Sequence, residues 1–107
     1  MLDINTSEIF GLKNSVEYAS GAIVSKTIIK KSSGNITLFA FDESQELSEH
    51  TAPFDAVVYV MDGKAEIAID KKPFILNQGE TIIMPANIPH AVKAVEKFKM
   101  MLVMIKS

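Results

Sequence analysis

The chain has 107 residues, a formal net charge of −2 and a pI near 5.6, with 48% hydrophobic and 22% charged residues. That length suits one domain with one core, and the composition argues against disorder. All 11 basic residues are lysine and there is no cysteine. The arginine fork that reads guanine edges and grips phosphate is therefore missing, nucleic acid is not an expected partner, and disulfides, thiol catalysis and zinc–thiolate or iron–sulfur sites are excluded.

Residues 1–22 read as an N-terminal arm and irregular segment, and 23–107 as a β-barrel within a single domain. The start, Met1 to Asn5, has no basic stretch and no apolar run of signal-peptide length. No apolar run approaches the ~18 residues of a spanning helix, so no membrane partner and a cytoplasmic location are expected. Thr6 or Ser7 would cap one short turn through Gly11, and Lys13 to Gly21 takes no assignment.

From Ile23 the pattern is strand after strand. Ile23 to Lys30 and Asn35 to Phe41 flank the turn Ser32-Ser33-Gly34-Asn35 and read as a hairpin. Leu47 to His50 is a short extended piece, interrupted by Pro53, which cannot donate to a ladder. Asp55 to Met61 and Lys64 to Ile69 flank Asp62-Gly63, a hairpin signal. Pro73 to Leu76, Glu80 to Met84, His90 to Val95 and Phe98 to Ile105 follow, separated by Gln78-Gly79, the rigid segment Pro85 to Pro89, and Glu96-Lys97. Short strands at this spacing argue for an all-β antiparallel sandwich or barrel.

The only two histidines, His50 and His90, lie forty residues apart. The second ends the segment Gly79-Glu80-Thr81-Ile82-Ile83-Met84-Pro85-Ala86-Asn87-Ile88-Pro89-His90. This segment resembles the second signature of the cupins, G-x5-P-x-G-x2-H-x3-N. Gly79, Pro85 and His90 match; Asn87 replaces the middle glycine and Ala94 the final asparagine. Of the first signature, G-x5-H-x-H-x3-4-E-x6-G, only His50 and Gly63 are kept. Ala52 stands at the second histidine position, Ala56 at the glutamate position and Ser44 at the opening glycine. The resemblance extends from Asp42 to Ser107 and is closest to small stand-alone bacterial cupins with no assigned reaction.

That resemblance implies a single-domain jelly-roll barrel, a double-stranded β-helix, in which the two signatures face each other. It also implies one divalent metal (iron, manganese, zinc or nickel) held by His50 and His90 in an incomplete site; the five glycines are isolated along the chain, so no phosphate-cradling loop and no nucleotide cofactor are expected. Glu49 and Asp55 are the nearby carboxylates, but strand alternation turns both away unless a bulge intervenes. Three readings of the pair stay open: a bound metal, a metal-free pair hydrogen-bonding a polar ligand, and two structural histidines.

Alternation extends the lining. With Ala56 inward, Val58 and Val60 follow; with His90 inward, so do Val92 and Ala94; Ala52 joins them. A small, apolar lining around two imidazoles suits a compact apolar or aromatic molecule with one polar group. Tyr59 alternates outward, as packing or interface. The six methionines read as adaptable core filling, although thioethers also suit soft copper. The last strand is apolar on both faces, with Phe98, Met100, Leu102 and Met104 on one and Met101, Val103 and Ile105 on the other; a homodimer is expected. The expected function is a small-molecule-binding barrel. The alternatives are a metal-dependent enzyme of dioxygenase or isomerase type and a ligand-free interaction domain.

Overall fold

The structure is a computed structural model and describes residues 6–106. Nine strands follow a short 3-10 turn at Lys13–Ser15: β1 (Ile23–Lys31), β2 (Gly34–Phe41), β3 (Glu46–His50), β4 (Phe54–Asp62), β5 (Lys64–Ile69), β6 (Lys72–Asn77), β7 (Thr81–Met84), β8 (His90–Ala94) and β9 (Phe98–Lys106). Each falls within a residue or two of its expected position. They form a five-stranded sheet, β1-β2-β9-β4-β7, and a four-stranded sheet, β3-β8-β5-β6, antiparallel throughout. The two sheets close over one core, which makes the jelly-roll barrel. Among the described residues no helix is long and apolar enough to cross a membrane.

Period-two burial places the core. Along β4, Ala56, Val58 and Val60 are buried while Val57 and Tyr59 are only half-buried. Along β5 the buried residues are Ala65 and Ile67, and along β8 His90, Val92 and Ala94. Phe41 and Phe98 stack at 4.6 Å between ring centroids and neither is exposed.

Asp62-Gly63 is not a hairpin. β4 pairs with β9 and β7, whereas β5 pairs with β8 and β6. The turn instead carries the chain from one sheet to the other. Gly63 has φ +77°, and a Cβ there would lie 1.9 Å from the Lys97 carbonyl oxygen. The positive-φ signal was sound, but it marks a corner under another backbone. True hairpins join β1 to β2 through Ser32-Ser33 and β5 to β6 through Asp70-Lys71, both left-handed at φ 51° and 67°.

The expected turn from Thr6 or Ser7 through Gly11 is not helical. The helical turn sits instead at Lys13–Ser15, with no side-chain cap. The segment around it lies across the outer face of the five-stranded sheet. There Val16 is buried with Leu38, Ala40 and Met61, and Leu12, Tyr18, Val24, Tyr59 and Met101 pack around them. The Tyr18 hydroxyl donates to Asp62 Oδ2 at 2.7 Å, and the buried Lys99 ammonium donates to the Lys13 carbonyl at 2.6 Å. Burial, the bond to Asp62 and its charge push the Tyr18 phenol well above its ordinary value; that bond and Lys13 hold the Asp62 carboxyl low.

Candidate functional site

His50 ends β3 and His90 begins β8, and the two are directly paired across the four-stranded sheet. Between the Leu47–Val92 and His50–His90 pairs β3 carries one residue more than β8. This bulge resets the alternation, so Leu47 and His50 both turn toward the barrel. The rings meet edge to face, 4.4 Å apart at an interplanar angle of 66°. His90 is 7% exposed, whereas His50 lies at the solvent-exposed rim.

Both imidazoles are oriented the same way. His50 Nδ1 lies 2.8 Å from the Ser48 carbonyl oxygen, and His90 Nδ1 lies 3.2 Å from that of Ile88. A carbonyl oxygen only accepts, so each neutral ring carries its proton on Nδ1 and leaves the Nε2 lone pair free. Burial holds the His90 pKa below its ordinary value of 6.5, reinforced by His50, while the bond to Ile88 works the other way. His90 is therefore neutral at neutral pH.

Two loops hold the pair in place. The Asn87 N–H donates to the Ala52 carbonyl at 2.8 Å, the Ala86 N–H to Asp55 Oδ1 at 2.9 Å, and the Asp70 N–H to the Pro89 carbonyl at 2.8 Å. Asn87, which stands where the cupin pattern has glycine, has φ 65°, a geometry asparagine tolerates. The loop that delivers His90 is thus tied to the loop that follows His50.

The carboxylates are engaged elsewhere. Glu49 pairs with Lys71 at 3.4 Å, and Asp55 fixes the Ala86 turn. No group of three or more His, Cys, Asp or Glu comes together among the described residues. The imidazole-plus-carboxylate set that usually holds a divalent ion in cupins does not assemble here.

The expected lining residues separate along the barrel. Ala56 and His90 lie at the same end, because β3, β7 and β9 finish there and β4 and β8 begin there. Val58 and Val92 lie one inward step deeper. Val60 and Ala94 lie four residues from Ala56 and His90, about 13 Å along their strands, in the closed core with Ala65 and Phe98. Ala52 sits in the loop and contributes its carbonyl. Sequence reasoning missed the neighbours of Ala56. Met104 on β9 and Met84 on β7 flank it in one inward row, and Leu102 and Ile82 flank Val58 in the next. The inward phase of Met104 was readable along Phe98 to Met104; that of Met84 required the β4–β7 register. Leu47, Ile69, Ile82, Leu102 and Met104 face the core yet stay only partly buried, and His50 beside them is exposed, which makes this end the solvent-facing mouth of the barrel.

A cupin-domain family model matches residues 37–106. The chain is similar over 97% of its length, at 38% identity and a TM-score of 0.93, to 91% of a conserved protein of unknown function from Streptococcus pyogenes. It is similar over 91% of its length, at 45% identity and a TM-score of 0.88, to a cupin 2 conserved barrel domain protein from Leptotrichia buccalis, of which it spans only 47%. A cupin superfamily protein from Desulfitobacterium hafniense shares the fold, with a TM-score of 0.91, 21% identity, and coverage of 97% of this chain and 95% of that one. No curated protein sequence matches.

Proposed function

The chain belongs to the cupin family, and from that premise we propose that it is a binding barrel whose ligand engages the paired Nε2 atoms of His50 and His90 at the mouth. The observation that carries this reading is the shared orientation of the rings. Each Nδ1 is committed to a carbonyl two residues back, which leaves free the Nε2 lone pairs of two rings whose centroids lie 4.4 Å apart. Such an arrangement accepts a proton from a ligand's polar group or donates to a metal ion. The surround is Ala56, Val58, Val92 and partly exposed Ile69, Ile82 and Leu102, which suits a compact apolar or aromatic molecule with one polar group. The chain has no arginine, and no inward acid among the described residues favours a sugar phosphate.

A metal-dependent reaction of dioxygenase or isomerase type is the second reading. Two imidazole ligands leave open positions for oxygen or substrate, but the two carboxylates closest in sequence are engaged in structural contacts. The test is a titration of compact aromatic alcohols and acids followed by carbon–proton NMR. His50 and His90 signals move together in the parent, and His50→Ala and His90→Ala each remove the response. A probe that binds with both imidazole signals unmoved would sink the reading.

A further inference from the structure

We propose that the mouth is a soft-cation site, taking copper(I) through His50 and His90 on one sheet and Met84 and Met104 on the other. The proposal rests on the reading of the two Nε2 atoms as the binding groups and goes beyond it by naming the ion. A hard or borderline divalent ion wants a carboxylate or further imidazoles, and none among the described residues joins the pair. What the register provides instead is sulfur. Ala56 stands where the first cupin signature has glutamate, and its neighbours in the same inward row are Met104 and Met84.

All four donor side chains belong to the same end of the barrel. His50 and Met84 are the last residues of β3 and β7, His90 is the first of β8, and Met104 lies two residues from the end of β9. His90 and Met84 are buried at 7% and 3%, and Met104 packs against the same core. Thioether and neutral imidazole are the donors copper(I) prefers, and both are uncharged, so the burial of His90 and Met84 places no charged donor in the apolar core.

The experiment is anaerobic competition for copper(I) between the purified chain and a colorimetric copper(I) chelator, with zinc(II) as the contrasting probe. One copper(I) per chain is expected. Met84→Leu and Met104→Leu, changes that nearly conserve volume, should each weaken it about tenfold or more, while leaving zinc(II) affinity unchanged. His50→Ala and His90→Ala should weaken both ions. Equal copper(I) affinity in the Met84→Leu/Met104→Leu double variant overturns the sulfur set, even where the histidine variants still lose the ion. No copper(I) binding by the parent overturns the proposal outright and leaves the organic-ligand reading to its own titration.

A separate observation carries a second proposal. Among the described residues, the N-terminal segment covers the outer face of the five-stranded sheet around Leu38, Ala40 and Met61. The next outward row, Ile29–Ile36–Val103–Val57–Ile83, crosses all five strands. Ile29 and Ile83 at its ends are 47% and 61% exposed, and Ile105 beside it is 58% exposed. At one end Ile29, Gly34, Ile36, Val103 and Ile105 line a groove of about 320 Å³; at the other Ile83 projects.

We infer that a second copy of this chain covers the row, about a twofold axis running along β9. That operation sets Ile83 of each copy into the groove of the other and Val103 against its own image, a self-complementary contact. It also brings Lys31, at the groove, near Asp55, at the opposite end. The row spans five strands, roughly 19 Å, and a contiguous apolar row of this kind marks an association surface. Sedimentation equilibrium at micromolar concentration should give the dimer mass. Ile83→Glu should give a folded monomer, checked by circular dichroism, and Ile75→Glu on the other sheet should leave the dimer intact. A monomeric parent, or a dimer indifferent to Ile83→Glu, contradicts the inference.

Discussion

The two ends of the barrel are made by the same strands and do different things. At the closed end Phe41, Phe98, Val60 and Ala65 are fully buried, and Ala94 and Leu76 nearly so. At the mouth Ile69, Ile82, Leu102 and Met104 point inward but remain partly exposed, and the inward positions of the four-stranded sheet become imidazoles. The largest fully buried side chains gather around the Phe41–Phe98 stack, which leaves the mouth to carry polar groups. The lesson is that inward alternation tells which residues enter a barrel, while depth along the strand tells whether they line a cavity or fill a core.

Substitutions should therefore divide by depth. The largest effect is expected from Phe98→Ala, which removes half of the stacked pair. It should cost about 3–5 kcal/mol in urea unfolding while leaving the imidazole signals of whatever remains folded in place. Next comes Gly63→Ala at the closed-end corner. The new methyl meets the Lys97 carbonyl, and its φ is left-handed, so about 2–4 kcal/mol is expected. Equal stability in that variant would mean that the corner relaxes freely.

At the mouth the ranking reverses between stability and binding. His90→Leu should change unfolding free energy by no more than about 1 kcal/mol, because it exchanges one part-buried hydrogen bond to the Ile88 carbonyl for relief of a buried polar ring. The same change should abolish any ligand response. A loss as large as that of Phe98→Ala would make His90 a structural residue and end the contrast between the two ends.

The smallest effect is a pH dependence. The folded-state pKa of His90 lies below the ordinary 6.5. Between the folded value and 6.5 the unfolded chain binds a proton that the folded chain does not, so stability falls as pH drops through that window. Above 6.5 the group is neutral in both states and contributes no slope. In His90→Leu this part of the slope should vanish; an unchanged profile assigns it to other groups.

Much of this was legible in the chain. Alternation from Asp55 to Met61 and from Phe98 to Ile105 located β4, β9 and their inward residues, and the spacing of Gly79, Pro85 and His90 located the second histidine's turn. The Asp62-Gly63 corner misled because positive φ serves a sheet crossover as well as a hairpin, and only pairing distinguishes them. The bulge in β3 is one extra residue with no composition of its own, so it left no trace. The Lys13 to Gly21 segment holds its place through isolated contacts, Val16 in a pocket and Tyr18 on Asp62, with no repeating period to reveal it. Met84 and Met104 became neighbours of Ala56 only through strands distant in sequence.

The most direct test of the central claim is the tautomeric state of the two imidazoles, read from long-range nitrogen–proton NMR correlations at mildly alkaline pH. Both rings should carry the proton on Nδ1 and show an unprotonated Nε2. A proton on Nε2 of either His50 or His90 would contradict the account, since the pair would no longer present two free lone pairs to a ligand.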